Sequence, residues 1–148
     1  LELAASAHVR VAERSAYYVL PEGSRGIYVG GGGSVRLPPL IGVARMMDMM
    51  LTGRTYSAEE GQAIGLTTYL VENGKGFAKG LDLAQRIAGN APLTNFAVMH
   101  ALPRIAQMSP ASGLAMEALI SSIAQADGEA KARLKDFLEK RGPKATRD

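Results

Sequence analysis

The sequence predicts an α/β fold whose second half is purely helical. Three observations carry this. Short stretches near the start alternate polar and apolar residues with the period of a strand, as in His8–Ala12 (HVRVA). The last β-prone run is Thr67–Val71 (TTYLV). Beyond about Gly76 every apolar pattern has helical spacing.

Taken in order, Leu1–Ala7 (LELAASA) is rich in helix formers and reads as the end of a helix. His8–Ala12 and Ala16–Leu20 (AYYVL) are the first two strands. A stretch from Leu20 to Ser34 (LPEGSRGIYVGGGGS) follows, in which six of fifteen residues are glycine. Ser34–Leu40 contains Pro38-Pro39, so any helix there is expected to be short. Val43–Leu51 (VARMMDMML) reads as a helix stopped near Gly53. Ser57 and Glu60 have the spacing of a capping box, opening a helix that ends near Gly65. Four helical stretches follow the strand at Thr67–Val71. They are Gly76–Ala88, a run from Pro92 to about Met108 with a kink expected at Pro103, a helix opened by Ser109-Pro110, and Glu129–Arg141. The expected organisation is therefore an α/β part over residues 1–75 and a helical part over 76–148.

Bulk properties exclude several classes. The 148 residues are 47% hydrophobic and 21% charged, enough for a core of one domain or less. With no cysteine there is neither a disulfide framework nor a thiolate metal site, which fits a reducing cytoplasm. The net charge of +3 is small and no basic block is long enough to argue for nucleic acid. No apolar run reaches the roughly 20 residues of a membrane span, and no signal peptide is visible. The sequence starts at Leu1 inside an apolar, helix-like pattern, so a preceding N-terminal part is expected.

The glycine-rich stretch carries the candidate chemistry. No Lys-Ser or Lys-Thr follows it, as a P-loop requires, and the glycines miss the register of a dinucleotide fingerprint. Ile27, Tyr28 and Val29 argue against a plain linker. What remains is backbone brought close to something, with the N–H groups of Gly30–Gly33 as donors at the start of the next helix. Glu22 sits between Pro21 and Gly23; taken alone it also fits a solvated loop carboxylate. Glu2 likewise fits the solvent face of its helix. His8 and His100 lack metal-ligand spacing, no GxSxG elbow is present, and Met46, Met47, Met49 and Met50 read as core or interface.

The residues from LELAASAHVRVAERSAYYVLPEGSRGIYVGGGGSVRLPPLIG resemble the central segment of the enoyl-CoA hydratase/isomerase (crotonase) superfamily. That family reads GGG-x-ELA, a short strand, Pro-Glu, then a glycine-rich loop ending in an Arg-Leu pair. LTGRTYSAEEGQAIGLTTYLVE is similar to its LTG-x-x-x-SA-x-x-A-x-x-x-GLV-x-x-V pattern, with Gly61 where alanine is usual. FLEKRGPKA resembles its closing F-x-E-KR-x-P. The resemblance covers nearly the whole chain. It implies the C-terminal part of a crotonase-like spiral of ββα units, followed by a helical oligomerisation region that builds a homotrimer or hexamer.

It also implies an activity, the reversible addition of water to the 2,3-double bond of a 2-enoyl-CoA. The catalytic pair would be Glu2, the base that orients water, and Glu22, which exchanges the α-proton. They stand 20 positions apart, as the family's two acids do. Isomerases of the family usually keep one acid, so two favour hydration. Gly30 aligns with a glycine whose N–H holds the water, and Lys140 with a lysine that reaches CoA phosphates. No metal and no cofactor are implied, the CoA thioester being substrate. Both oxyanion-hole donors of the family lie outside this sequence, so the chain alone is expected to be inactive or nearly so. Isomerisation, hydration with retro-aldol cleavage, and a non-catalytic oligomerising piece are the alternatives. Leu20, Ile27, Tyr28 and Val29 are expected along the acyl wall.

Overall fold

The structure, a computed structural model, describes residues 1–142. Its elements follow the expected order. Helix α1 (Glu2–Ala5) leads into β1 (Val11–Glu13) and β2 (Tyr17–Tyr18), and a 3-10 turn covers Gly23–Arg25. Helices α2 (Gly33–Ile41) and α3 (Val43–Thr52) come next, then β3 (Tyr56–Ser57), α4 (Ala58–Ala63) and β4 (Tyr69–Val71). Helix α5 (Gly76–Ala88) opens the helical part, followed by α6 (Pro92–Phe96), a π-helical turn (Ala97–Ala101), α7 (Leu102–Ile105), α8 (Pro110–Ala126) and α9 (Gly128–Leu138). The compact units are Leu1–Leu83 and Ala84–Asp148, dividing within α5, whereas the sequence-derived boundary falls just before that helix.

In the first unit, β1 pairs in parallel with β4, Val11 opposite Tyr69 and Glu13 opposite Val71. β2 pairs antiparallel with β3, Tyr17 opposite Ser57. One apolar core joins α1, α2, α3, β3 and adjoining loops: Ala5, Leu20, Val29, Leu37, Ile41, Met46, Met49, Tyr56 and Leu66 are buried together. Helix α3 ends where expected because Gly53 takes a left-handed conformation (φ 72°) and returns its N–H to the Met49 carbonyl. The Ser57 capping box forms in full, with the Glu60 N–H donating to Ser57 Oγ and the Ser57 N–H donating to Glu60 Oε2.

Three expectations are corrected. The first strand begins at Val11 rather than His8, because the ladder to β4 covers only Val11–Glu13. Helix α2 runs nine residues through Pro38 and Pro39 rather than stopping short. The prolines deprive the Ser34 and Val35 carbonyls of helical donors, but both residues are exposed and water can replace the donors, while Leu37 and Ile41 hold the inner face in the core. The last helix ends at Leu138, not Arg141. Lys140 adopts a positive φ of 57°, and the N–H groups of Arg141 and Gly142 both turn back to the Asp136 carbonyl.

The kink expected at Pro103 takes a defined form. Pro103 cannot donate to the Met99 carbonyl, and its ring would crowd that carbonyl in a regular helix. The chain widens instead, and the Leu102 N–H bonds to the Ala97 carbonyl, five residues back. The same unit contains α8, whose N-cap Ser109 accepts from the Ser112 N–H, and α9, whose N-cap Asp127 accepts from the Glu129 and Ala130 N–H groups.

Gly61, the departure from the family pattern, has a packing reason. A Cβ there would lie 2.1 Å from Tyr18 Cε2, so the ring of Tyr18 occupies the space an alanine would need. Gly61→Ala is expected to destabilise the first unit by about 1–3 kcal/mol, and Tyr18→Leu in the same chain to recover part of the loss; urea unfolding measures both.

Glu13 links the sheet to the helix that follows. Its Oε1 accepts from the Gly76 N–H at 2.8 Å, at the N-terminus of α5. Backbone donors at Gly74 and then Gly76 hold this carboxyl below the usual carboxylate range. The stabilisation is therefore present above the unfolded carboxylate pKa and is lost as pH falls through the lower, folded value. Glu13→Gln should flatten the acid limb of a thermal-stability profile below about pH 4.5 while leaving the neutral plateau lower than wild type.

Candidate active site

The loop of interest is strung between two buried apolar residues. Leu20 is 2% exposed and Val29 8%, and both belong to the core. Between them the backbone rises to the surface. Glu22 enters the 3-10 turn with helical backbone angles, and its carbonyl accepts from the Arg25 and Ile27 N–H groups. Ser24 Oγ donates to the Pro21 carbonyl at 2.8 Å. Gly23 lies so close to the end of α3 that a Cβ would sit 2.1 Å from the Met50 carbonyl oxygen. The turn is thus fixed by backbone contacts and leaves the Glu22 side chain unused. Glu22 Oε2 is buried and has no hydrogen-bond partner. A buried carboxylate oxygen without a donor is costly, which marks the position as set by something other than stability.

Glu2 is held in the opposite way. Its Oε1 accepts two backbone hydrogen bonds, from Gly31 N–H at 2.9 Å and Gly33 N–H at 2.7 Å. Gly33 is the first residue of α2, so the carboxylate sits against the positive end of that helix. Side chains here would block the approach: a Cβ on Gly33 would lie 2.8 Å from Glu2 Oε1, and one on Gly31 3.1 Å from Oε2. Gly32 takes a φ of 91° between them, and Arg36 Nη1 donates to the Gly31 carbonyl at 2.8 Å, closing the turn.

The structure sorts the sequence-derived residues as follows. The expectation that the glycine run offers donors at a helix start holds, and Gly31 and Gly33 are the two that meet Glu2. Gly30 is exposed, and no heavy atom lies within 4 Å of where its Cβ would be. Lys140 is exposed just past α9, in the other compact unit. Of the four residues expected along an acyl wall, Leu20 and Val29 are core, while Ile27 and Tyr28 are 61% and 69% exposed. Sequence reasoning did not single out Gly33 or Arg36; the Arg-Leu pair at the end of the glycine run was the available signal for the latter.

Known proteins share this chain's sequence pattern and fold. The sequence profile of the enoyl-CoA hydratase/isomerase family matches residues 1–147. The chain belongs to the enoyl-CoA hydratase/isomerase family. Among relatives, the human mitochondrial enoyl-CoA hydratase domain-containing protein 2 is 34% identical over 148 residues, 97% of this chain and 51% of that protein. The mitochondrial methylglutaconyl-CoA hydratase of Rattus norvegicus is 30% identical over 148 residues, 97% of this chain and 47% of that protein. The chain spans about half the length of these relatives. Among solved structures, a protein of Rhodopseudomonas palustris CGA009 is 64% identical with a TM-score of 0.90, covering 95% of this chain and 54% of that one. Enoyl-CoA hydratase from Bacillus anthracis is 32% identical with a TM-score of 0.86, over 95% of this chain and 54% of that one. The crotonase-type fold of these structures is the one seen here. No described helix is long and apolar enough to cross a membrane.

The clamp on Glu2 makes the glycines unequal. Gly33→Ala is expected to cost about 1–3 kcal/mol, as an overpacked contact does, and to dislodge Glu2. Gly30→Ala should stay within about 0.5 kcal/mol of wild type. Chemical unfolding of the two variants side by side checks the contrast.

Proposed function

We propose that the protein carrying this chain is an enoyl-CoA hydratase, adding water across the 2,3-double bond of a 2-enoyl-CoA thioester. The observation that carries this reading is the contrast between the two carboxylates. Glu2 is clamped through Oε1 by two N–H groups, and Glu22 holds a buried oxygen with no partner. Hydration needs both kinds of group. A fixed carboxylate orients the attacking water and takes its proton as hydroxide adds to C3. A second carboxyl, with an oxygen not taken up by protein hydrogen bonds, delivers a proton to C2. In this reading Glu2 is the first, Glu22 the second, and the Gly30 N–H helps to hold the water.

The thioester oxygen gains negative charge as C3 is attacked, and backbone N–H donors would stabilise it. The family resemblance puts both donors outside this sequence. Loss of one such donor typically costs about 10²–10³ in rate, so the chain alone should be nearly inactive. CoA is substrate here and no further cofactor is invoked. Lys140, exposed beyond α9, is the proposed contact to CoA phosphates. The helical unit exposes Leu114, Leu119 and Phe137, at 67%, 55% and 69%, and these support assembly as a homotrimer or hexamer.

One observation favours a second reading. A single carboxylate with a free oxygen, which Glu22 is, suffices for moving a proton between C2 and C4, so double-bond isomerisation on the same scaffold is the alternative.

The test uses this chain completed with the N-terminal half of the 64%-identical Rhodopseudomonas palustris protein. Loss of enoyl-thioester absorbance is followed with crotonyl-CoA and 2-decenoyl-CoA. Hydration is expected, with Glu2→Gln and Glu22→Gln each lowering kcat by about 10²–10⁴. A folded chimera that shifts the double bond of 3-enoyl-CoA but adds no water to any 2-enoyl-CoA would replace hydration with isomerisation.

A further inference from the structure

We infer that Arg36 is a positioning residue of the candidate site. Its guanidinium holds the peptide between Gly31 and Gly32, so that the N–H groups on either side of that peptide converge on the Glu2 carboxylate. The inference rests on the reading above that Glu2 orients the attacking water. It adds a residue that acts on Glu2 through the backbone.

Arg36 reaches the glycine run twice. Its Nη1 donates to the Gly31 carbonyl at 2.8 Å, and its own backbone N–H donates to the Gly32 carbonyl at 3.1 Å. The first bond fixes the peptide between Gly31 and Gly32, and the second the peptide between Gly32 and Gly33. Glu2 Oε1 takes its two bonds from the Gly31 and Gly33 N–H groups, which flank the first of these peptides. The guanidinium also accounts for Gly32. A Cβ there would lie 2.2 Å from Arg36 Nη1, and its φ of 91° is one that side chains rarely permit. Three successive glycines are thus explained by two side chains. Glu2 fills the space beside Gly31 and Gly33, and Arg36 fills the space beside Gly32.

Stability alone gives little reason for an arginine here. Arg36 is the fourth residue of α2, where a cation opposes the helix dipole, and the first turn of α2 carries no acidic residue of its own. The bond from its guanidinium to Gly31 is exposed, so water can replace it at small cost. Order is a different matter. Gly30 to Gly33 are consecutive glycines, each with many backbone conformations to lose. A carboxylate that must align a water tolerates little displacement, and a misplacement of about 1 Å can cost about a hundredfold in rate. Holding the middle of the glycine run therefore matters more to the chemistry than to the fold.

The test combines turnover by the chimera described above with amide hydrogen exchange in the 148-residue chain. In the chimera, Arg36→Gln should lower kcat for crotonyl-CoA by about ten- to a hundredfold and leave KM within about twofold of wild type. The urea midpoint of the chain should stay within about 0.5 M of wild type. Arg36→Lys, which keeps a cationic donor, should recover part of kcat. Added guanidinium, below denaturing concentrations, should raise the rate of Arg36→Ala, whereas the same concentration of sodium chloride should not. By NMR, the Gly31 and Gly33 amides of Arg36→Gln should exchange with solvent about tenfold faster or more, while that of Gly53, bonded to the Met49 carbonyl, keeps its protection. An active chimera whose kcat is indifferent to Arg36→Gln would overturn the inference. So would a rise in KM with kcat unchanged, which would give Arg36 to substrate binding. A fall in kcat matched by loss of urea stability and of Gly53 protection would also overturn it, leaving Arg36 a general structural role. A chimera that hydrates nothing removes the hydratase reading, and the Gly31 and Gly33 amides then decide whether Arg36 positions the Glu2 carboxylate.

Discussion

The carboxylate of Glu2 against the N-terminus of α2 is the contact on which the candidate site depends. The N–H of Gly33, which the helix start would otherwise leave to water, and that of Gly31, just before the N-cap, converge on one oxygen. That single contact joins the beginning of the chain to the glycine run some thirty residues later, and it fixes both the helix start and the acid. It also explains the glycines: the carboxylate fills the space where the side chains of residues 31 and 33 would stand. Electrostatics and sterics thus make the same demand on the same positions.

The Glu22 loop is built on the opposite principle. Its ends are anchored by burial of Leu20 and Val29, and its turn by backbone hydrogen bonds and the approach of Gly23 to α3. None of these uses the Glu22 carboxyl. The carboxyl can therefore keep a buried, unpartnered oxygen without endangering the turn. In the proposed reaction Glu22 exchanges a proton, and a carboxyl held by its backbone rather than its oxygens suits that role.

Much of this is legible in residue order. The Ser57–Glu60 capping box, the stop at Gly53 and the helix over Gly76–Ala88 are local, and each appears where the sequence puts it. The two prolines of α2 mislead a local reading, because burial of Leu37 and Ile41 outweighs two lost hydrogen bonds at the exposed residues Ser34 and Val35. At Pro103 the sequence signals a disturbance, but its resolution as a π-helical turn depends on how the chain rejoins a helix afterwards. Among the glycines, Gly30 looks no different in sequence from Gly31 and Gly33. Only the location of Glu2 separates them.

The sequence by itself determined the class of fold, the helix limits set by caps, and the pair of acids at the family's spacing. These depend on neighbours in the chain or on a motif, and both are visible in one dimension. Tertiary structure alone decided which glycines hold Glu2, that Glu22 keeps an unpartnered oxygen, that Gly61 makes room for Tyr18, and that Ile27 and Tyr28 are exposed while Leu20 and Val29 join the core. Each of these is a contact between residues far apart in sequence, and only burial of a shared core fixes which of them meet.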